Sequence, residues 1–274
     1  METVTKAGRL RDALMTLWRE HQASGMLPTS ARFLYYELIA RGVLSKERTG
    51  ARRTDQDMID QLTKLREDGE IPWTDIVDET RTVADYTGEP TVKAGLLSVL
   101  EQVRLDPWHG NAPMVVTESR SLAGVLRSIA YDYRVQIAST NGQAGGFLRT
   151  QIAPRLHEGS HTLYFGDLDF SGGHIEANTR SVLEQVGEEL AWERLAVTEE
   201  QVSAYGLTKI PKHDKRDGKN HDAVETEALG QERIVEMLRN RLDELLPEGL
   251  ETVLECEKRQ RRALRRTLNF ERKN

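Results

Sequence analysis

The chain has 274 residues, 38% of them apolar and 30% charged, with a formal net charge of −6. That supplies a core under a hydrated surface and allows one large domain or two ordinary ones. The single cysteine, Cys256, excludes an internal disulfide framework and a cysteine-rich zinc site. No apolar run nears the length of a bilayer span, and the opening METVTKAGRL lacks the apolar segment of a secretory signal, so the sequence points to a cytoplasmic protein with no membrane partner.

Charge is spread unevenly. Residues 1–53 hold ten Lys/Arg against five Asp/Glu, and residues 258–274 hold eight against one, while the middle is acidic. Basic ends around an acidic centre suit a protein that grips phosphates and also holds a metal, although a basic tail is also what the solvated end of an ordinary helix looks like.

In chain order, residues 5–23 place Leu10, Ala13, Leu14, Leu17 and Trp18 on one helical stripe, ended by Gly25 and Pro28. Thr29 or Ser30 caps a second helix, Ala31–Arg41, closed by Gly42. A basic connector, Lys46–Arg53, leads to a third helix opened by Thr54, carrying Met58, Leu62 and Leu65 and stopping at Gly69. Glu70–Asp78 reads as a short, bent strand. Three small helices and then a hairpin is the order of a winged helix-turn-helix, which sets residues 1–88 as one domain. Residues 89–110 read as a linker helix. Strands and helices then alternate: strand 113–117, helix 122–131, strand 134–138, helix 147–156, strand 161–165, helix 175–190, strand 194–197. This predicts a parallel sheet covered on both faces, in a domain of residues 111–230. Residues 209–222 are charged, lack apolar periodicity and read as a loop. A helix over 231–246 and another reaching about Phe270 form a C-terminal helical extension, 231–274.

Ligands of a parallel sheet gather at the carboxyl ends of its strands. Two strands here run into acids: Met114-Val115-Val116-Thr117 into Glu118, and Leu163-Tyr164-Phe165-Gly166 into Asp167-Leu168-Asp169. Asp167 and Asp169, two apart in extended chain, project to the same side, and Gly172-Gly173 allow a tight turn into the next helix. Three carboxylates at neighbouring strand ends repel one another unless a cation lies between them, and Mg2+ takes oxygen ligands of this kind. The same acids would also serve as ordinary helix N-caps.

Residues 113–178 resemble the Toprim domain of the topoisomerase VI A subunit and its meiotic double-strand-break relatives. Val115-Val116-Thr117-Glu118-Ser119 is similar to the first Toprim motif, Ser139–Gly146 lies where that family has a glycine-containing loop, and Phe165–Ile175 is similar to its Asp-x-Asp-x-x-Gly motif. The family's usual Pro is replaced near Phe170 or Ser171. Val224–Leu229 resembles its acid-x-x-Ala-Leu element. Upstream, Arg32-Phe33-Leu34-Tyr35-Tyr36 resembles the Arg-x-x-x-Tyr setting of the family's nucleophilic tyrosine. The likeness spans roughly residues 28–230 and implies Mg2+ held by Glu118, Asp167 and Asp169, with Tyr36 as nucleophile and Tyr35 as its neighbour and alternative.

It further implies that Arg32, one helical turn from Tyr36, clamps the scissile phosphate or favours the phenolate, and that attack leaves a 5′-phosphotyrosine link. Lys46, Arg48, Arg52 and Arg53 would contact double-stranded DNA. In the family the tyrosine of one subunit meets the metal of another, so a homodimer is implied, and any strand passage needs a separate ATPase subunit. Residues alone leave two other readings open: a Toprim nuclease using water, with both tyrosines in the core, and a non-catalytic DNA-binding regulator.

Overall fold

Burial on both faces organises the centre of the sheet. The structure, a computed structural model, describes residues 5–46, 54–77, 85–142, 145–157, 159–185, 190–213 and 218–270. Strands β1 (Met114–Thr117), β2 (Gln136–Ser139), β3 (His161–Phe165) and β4 (Ala191–Ala196) form a parallel sheet in the order β2-β1-β3-β4. On β1 and β3, Val115, Leu163 and Phe165 face one core, while Met114, Val116 and Tyr164 face another. Each core needs a helical cover, since a strand buried on both faces leaves no side for water. Helices α5 (Arg120–Tyr133) and α9 (Gln231–Leu245) cover the first through Leu126, Ile129, Leu238 and Leu242. The second is covered by α7 (Phe170–Glu184) and an irregular segment. That segment runs from α6 (Gly145–Phe147) through a π turn (Leu148–Ile152) to a 3-10 turn (Ala153–Arg155). Each large aliphatic or aromatic side chain so enclosed contributes roughly 1.5–3 kcal/mol.

The N-terminal helices are α1 (Lys6–Ala23), α2 (Ala31–Ala40) and α3 (Gln56–Glu67). They share a separate cluster built from Leu14, Leu17, Leu34, Leu38, Met58 and Leu65. Ser30 starts α2 by accepting the Phe33 N–H at 3.2 Å. Phe33 itself is fully buried, in the core of the sheet rather than with the helices. The expected strand over 70–78 is not seen: Trp73–Asp75 is a 3-10 turn, and the segment's strand-like pairing among the described residues is a parallel bridge from Ile76 to Thr29. Apolar Ile71 and Ile76 lie in the helical core without the alternation a hairpin strand needs, and the rest of the expected hairpin falls outside the described residues.

Three further differences have local causes. Arg134 takes a left-handed conformation that closes α5, so β2 begins at Gln136 rather than Arg134. Asp169 caps α7, which therefore starts at Phe170 with both glycines inside its first turn. The charged segment read as a loop forms an antiparallel hairpin, β5 (Ile210–His213) with β6 (Asn220–Ala223). Both strands are largely exposed, which is why no apolar period marks them. Helices α4 (Val92–Gln102), α8 (Glu199–Tyr205) and α10 (Leu250–Phe270) complete the fold, α4 and α10 packing together. No helix among the described residues is long and apolar enough to cross a membrane.

Candidate functional site

The strand order reverses direction at β1: one crossover leads to β2 on one side and the next to β3 on the other. Such a switch point opens a crevice at the carboxyl ends of the two strands. Glu118 follows β1 and Asp167 follows β3, so both acids sit at that crevice. The Glu118 N–H donates to the Phe165 carbonyl at 2.9 Å, and Leu168 and Val224 exchange backbone hydrogen bonds at 2.8 and 2.9 Å. This pins the Asp167 loop between β1 and residues 224–229. Behind it, Arg194 Nη2 donates to the carbonyls of Gly166 and Asp167, each at 2.8 Å. Gly172 is required by closeness rather than by a turn: a Cβ there would collide with the Asp167 carbonyl.

The three acids of the expected triad lie along this edge, each turned to its own partners. Glu118 Oε2 accepts the Asp167 N–H at 3.2 Å. Burial and the Asp167 charge push the Glu118 carboxyl up to about 7. Asp167 Oδ1 accepts from the Thr226 N–H at 2.9 Å and its hydroxyl at 3.1 Å, while Oδ2 lies 3.8 Å from Arg32 Nη2. Burial raises Asp167 despite these donors. Asp169 divides its oxygens between the α7 N-terminus, through the Gly172 N–H, and Lys212 Nζ at 2.5 Å. Ser119, not Glu118, caps α5, whereas Asp169 is a true N-cap.

Glu118 and Asp167 crowd like charges in a way that a divalent cation relieves, so the donor set fits Mg2+ in kind. In the arrangement seen, arginine and lysine answer part of that charge, and among the described residues no three His, Cys, Asp or Glu side chains converge on one point.

Opposite this edge, α2 presents Arg32 and Tyr36. Arg32 spans three acids: Nη2 is 2.5 Å from Glu225 and Nε is 3.1 Å from Glu227, with Asp167 beyond. The Tyr36 hydroxyl donates to Glu225 Oε2. Lys46 Nζ lies 3.3 Å from Glu225 Oε1 and 4.4 Å from the centre of the Tyr36 ring. Tyr35 turns to Thr54, its hydroxyl donating at 2.7 Å. Both tyrosine rings belong to the helical core, but the Tyr36 oxygen emerges at the acidic site. An open cleft of about 730 Å³ is lined by Arg32, Tyr36, Lys46, Ser121, Lys212 and Glu225, among others. Arg48, Arg52 and Arg53 lie outside the described residues.

Glu225 and Glu227 were not among the site residues drawn from the sequence, although the segment that contains them was noted. Burial would raise Glu225, but Arg32, Tyr36 and Lys46 together hold it below its ordinary range. Glu227 is fully buried; Oε1 takes Arg32, Ser119 and Ser121, and Oε2 has no hydrogen-bond partner. Its enclosure raises it, with Arg32 opposing. Burial and the Glu225 carboxylate drive the Tyr36 phenol well above its usual value. The signal that could have found them is the Glu225-Thr226-Glu227 pair inside the segment that resembles the acid-x-x-Ala-Leu element, readable only once those residues sit beside β1.

The shift of Glu118 gives a pH dependence. Folded, it holds its proton to about 7; unfolded, it releases it near 4.5, so native stability falls as pH rises through that window. Glu118→Gln removes the ionisable group. Its melting temperature is expected to exceed wild type by a few degrees at pH 8 and to match it near pH 4.5; equal melting at both pH values would show that Glu118 is not strained.

Fold and site together define an α/β protein with a carboxylate-rich strand edge faced by an arginine and a tyrosine from one helix. No protein-family model, curated protein or solved structure matches the chain.

Proposed function

We propose that the protein cleaves DNA in the manner of a topoisomerase VI A-like subunit, with Tyr36 as nucleophile at a Toprim-type acidic edge. One observation carries this reading: Arg32 and Tyr36, one turn apart on α2, line one cleft, and from it Arg32 Nη2 comes within 3.8 Å of Asp167 while Lys212, on the same cleft, pairs with Asp169. The phenol oxygen attacks phosphorus, the bond to the 3′ oxygen breaks, and the 5′ phosphate becomes esterified to Tyr36. The phenol gives up one proton and the departing 3′ oxygen takes one. Arg32 orients the phosphate through its planar fork. Glu118, Asp167 and Asp169 are the residues to hold Mg2+, whose contribution is to offset negative charge on the phosphate and leaving oxygen. Residues 1–88 serve as a winged-helix DNA-binding domain, with Lys46, Arg48, Arg52 and Arg53 on the phosphates. A homodimer supplies two tyrosines for the two strands, and strand passage would draw on a separate ATPase subunit.

Supercoiled plasmid treated with the protein and Mg2+ tests this. Protein covalently joined to DNA 5′ ends, lost in Tyr36→Phe and kept in Tyr35→Phe, is the expected result. Free ends that survive both substitutions would mean that water is the nucleophile. A second reading, a DNA-binding regulator without catalysis, is favoured by the placement of the Arg32 guanidinium among Glu225, Glu227 and Asp167, where it answers the acidic charge itself.

A further inference from the structure

The chemistry around Glu225 is that of an anion-binding pocket rather than of a fold-stabilising ion pair. Its carboxylate receives a guanidinium, an ammonium and a phenol, three donors from three different positions on the N-terminal region. Those are the donors a phosphate oxygen takes, since charge-assisted bonds from Arg and Lys suit both anions. The carboxylate stands on the wall of an open cleft, with its side chain 20% exposed. Arg32 does not depend on Glu225 for its placement: Nε remains on fully buried Glu227, leaving Nη2 as the exchangeable arm. Lys46 does not depend on it wholly either, because the ammonium also rests over the Tyr36 ring.

We infer that Arg32, Lys46 and the Tyr36 hydroxyl form a subsite for a phosphodiester, and that Glu225 fills it in the free protein as a carboxylate stand-in. This rests on the proposed function and specifies which groups seat the reacting phosphate. While Glu225 is in place the phenol stays protonated and both cations are occupied. An incoming phosphate takes Arg32 Nη2 and Lys46 from Glu225, and with them the support that keeps the carboxylate beside the phenol. Lys212, at the far wall of the same cleft, offers a further cation to the strand that carries that phosphate.

The test is binding without metal, so that cleavage plays no part. Wild type and Glu225→Gln, both in EDTA, are titrated with inorganic phosphate and with a short blunt duplex. Affinity is read by fluorescence anisotropy, and the Tyr36 ring by the NMR signal of labelled tyrosine ζ-carbon, assigned through Tyr36→Phe. Glu225→Gln is expected to bind the duplex about tenfold tighter, as removal of a competing charge requires. The Tyr36 signal should shift on phosphate addition in the variant at lower concentration than in wild type. Adding Lys46→Ala to Glu225→Gln should erase most of the gain. Equal or weaker binding by Glu225→Gln, or a Tyr36 signal indifferent to phosphate, overturns the inference. Tightening by phosphate alone, with no duplex effect, overturns DNA as the source of the phosphate. Tighter duplex binding with no Mg2+-dependent cleavage would leave the subsite standing and remove the cleavage reading; Tyr36-linked cleavage with unchanged affinity would do the reverse.

Discussion

Asp167→Asn is expected to abolish Mg2+-dependent cleavage, with a loss of at least about a thousandfold, the scale on which charge-stabilising groups act. Asn keeps the size of Asp167 and keeps an oxygen for the Thr226 N–H and hydroxyl, which now donate at 2.9 and 3.1 Å, so the loop should hold. What disappears is the charge. The Glu118 carboxyl, held up to about 7 partly by that charge, should titrate lower in the variant. Two readouts therefore move together: plasmid cleavage is lost, and the stabilising effect of acid on the melting temperature shrinks. Duplex binding in EDTA should survive. If Asp167→Asn, well folded, cuts plasmid as wild type does, the acidic edge has no catalytic part and the regulator reading takes its place.

The second large effect is structural. Arg32→Ala leaves Glu227, fully buried, with only the hydroxyls of Ser119 and Ser121. Removing one partner of a buried pair strands the other, at a cost of about 3 kcal/mol here, the low end of the usual range because Arg32 itself is 39% exposed. The pH dependence has a definite sign. Glu227 already binds its proton more tightly than a free carboxyl, and without Arg32 it does so more strongly. The variant should thus lose most stability at neutral and alkaline pH and recover part of it in acid, as protonation removes the stranded charge. Denaturant melts at pH 5 and pH 8 measure this; Arg32→Ala combined with Glu227→Gln should restore much of the loss. A deficit that is the same at both pH values would show that Glu227 is not the group left behind.

The centre of the sheet was legible because β1 and β3 are short apolar runs followed by turn residues and helices, and burial on both faces leaves no competing pattern. Glu118 and Asp167 were legible for the same reason: a carboxylate at the end of a buried run has only the sheet edge to occupy. Other features carry no periodic signature. The β5–β6 hairpin is exposed on both sides, so charge conceals it. The π turn at Leu148–Ile152 depends on packing against α7 rather than on local preference. The expected strand near Glu70–Asp78 contains Ile71 and Ile76, and a chain that makes a 3-10 turn between them buries both equally well. Glu225 and Glu227 lie more than a hundred positions from Ser119 and Arg32, and nothing local forecasts their meeting.

Phe33 lies between Arg32 and Tyr36 in sequence, yet its side chain belongs to the other core. Swinging α2 aside would pull an aromatic ring into water, so the helix behaves as a rivet through both halves of the molecule. Access to Tyr36 must then come from rearranged side chains at the mouth, and heating should dissolve the helices and the sheet in one transition rather than two.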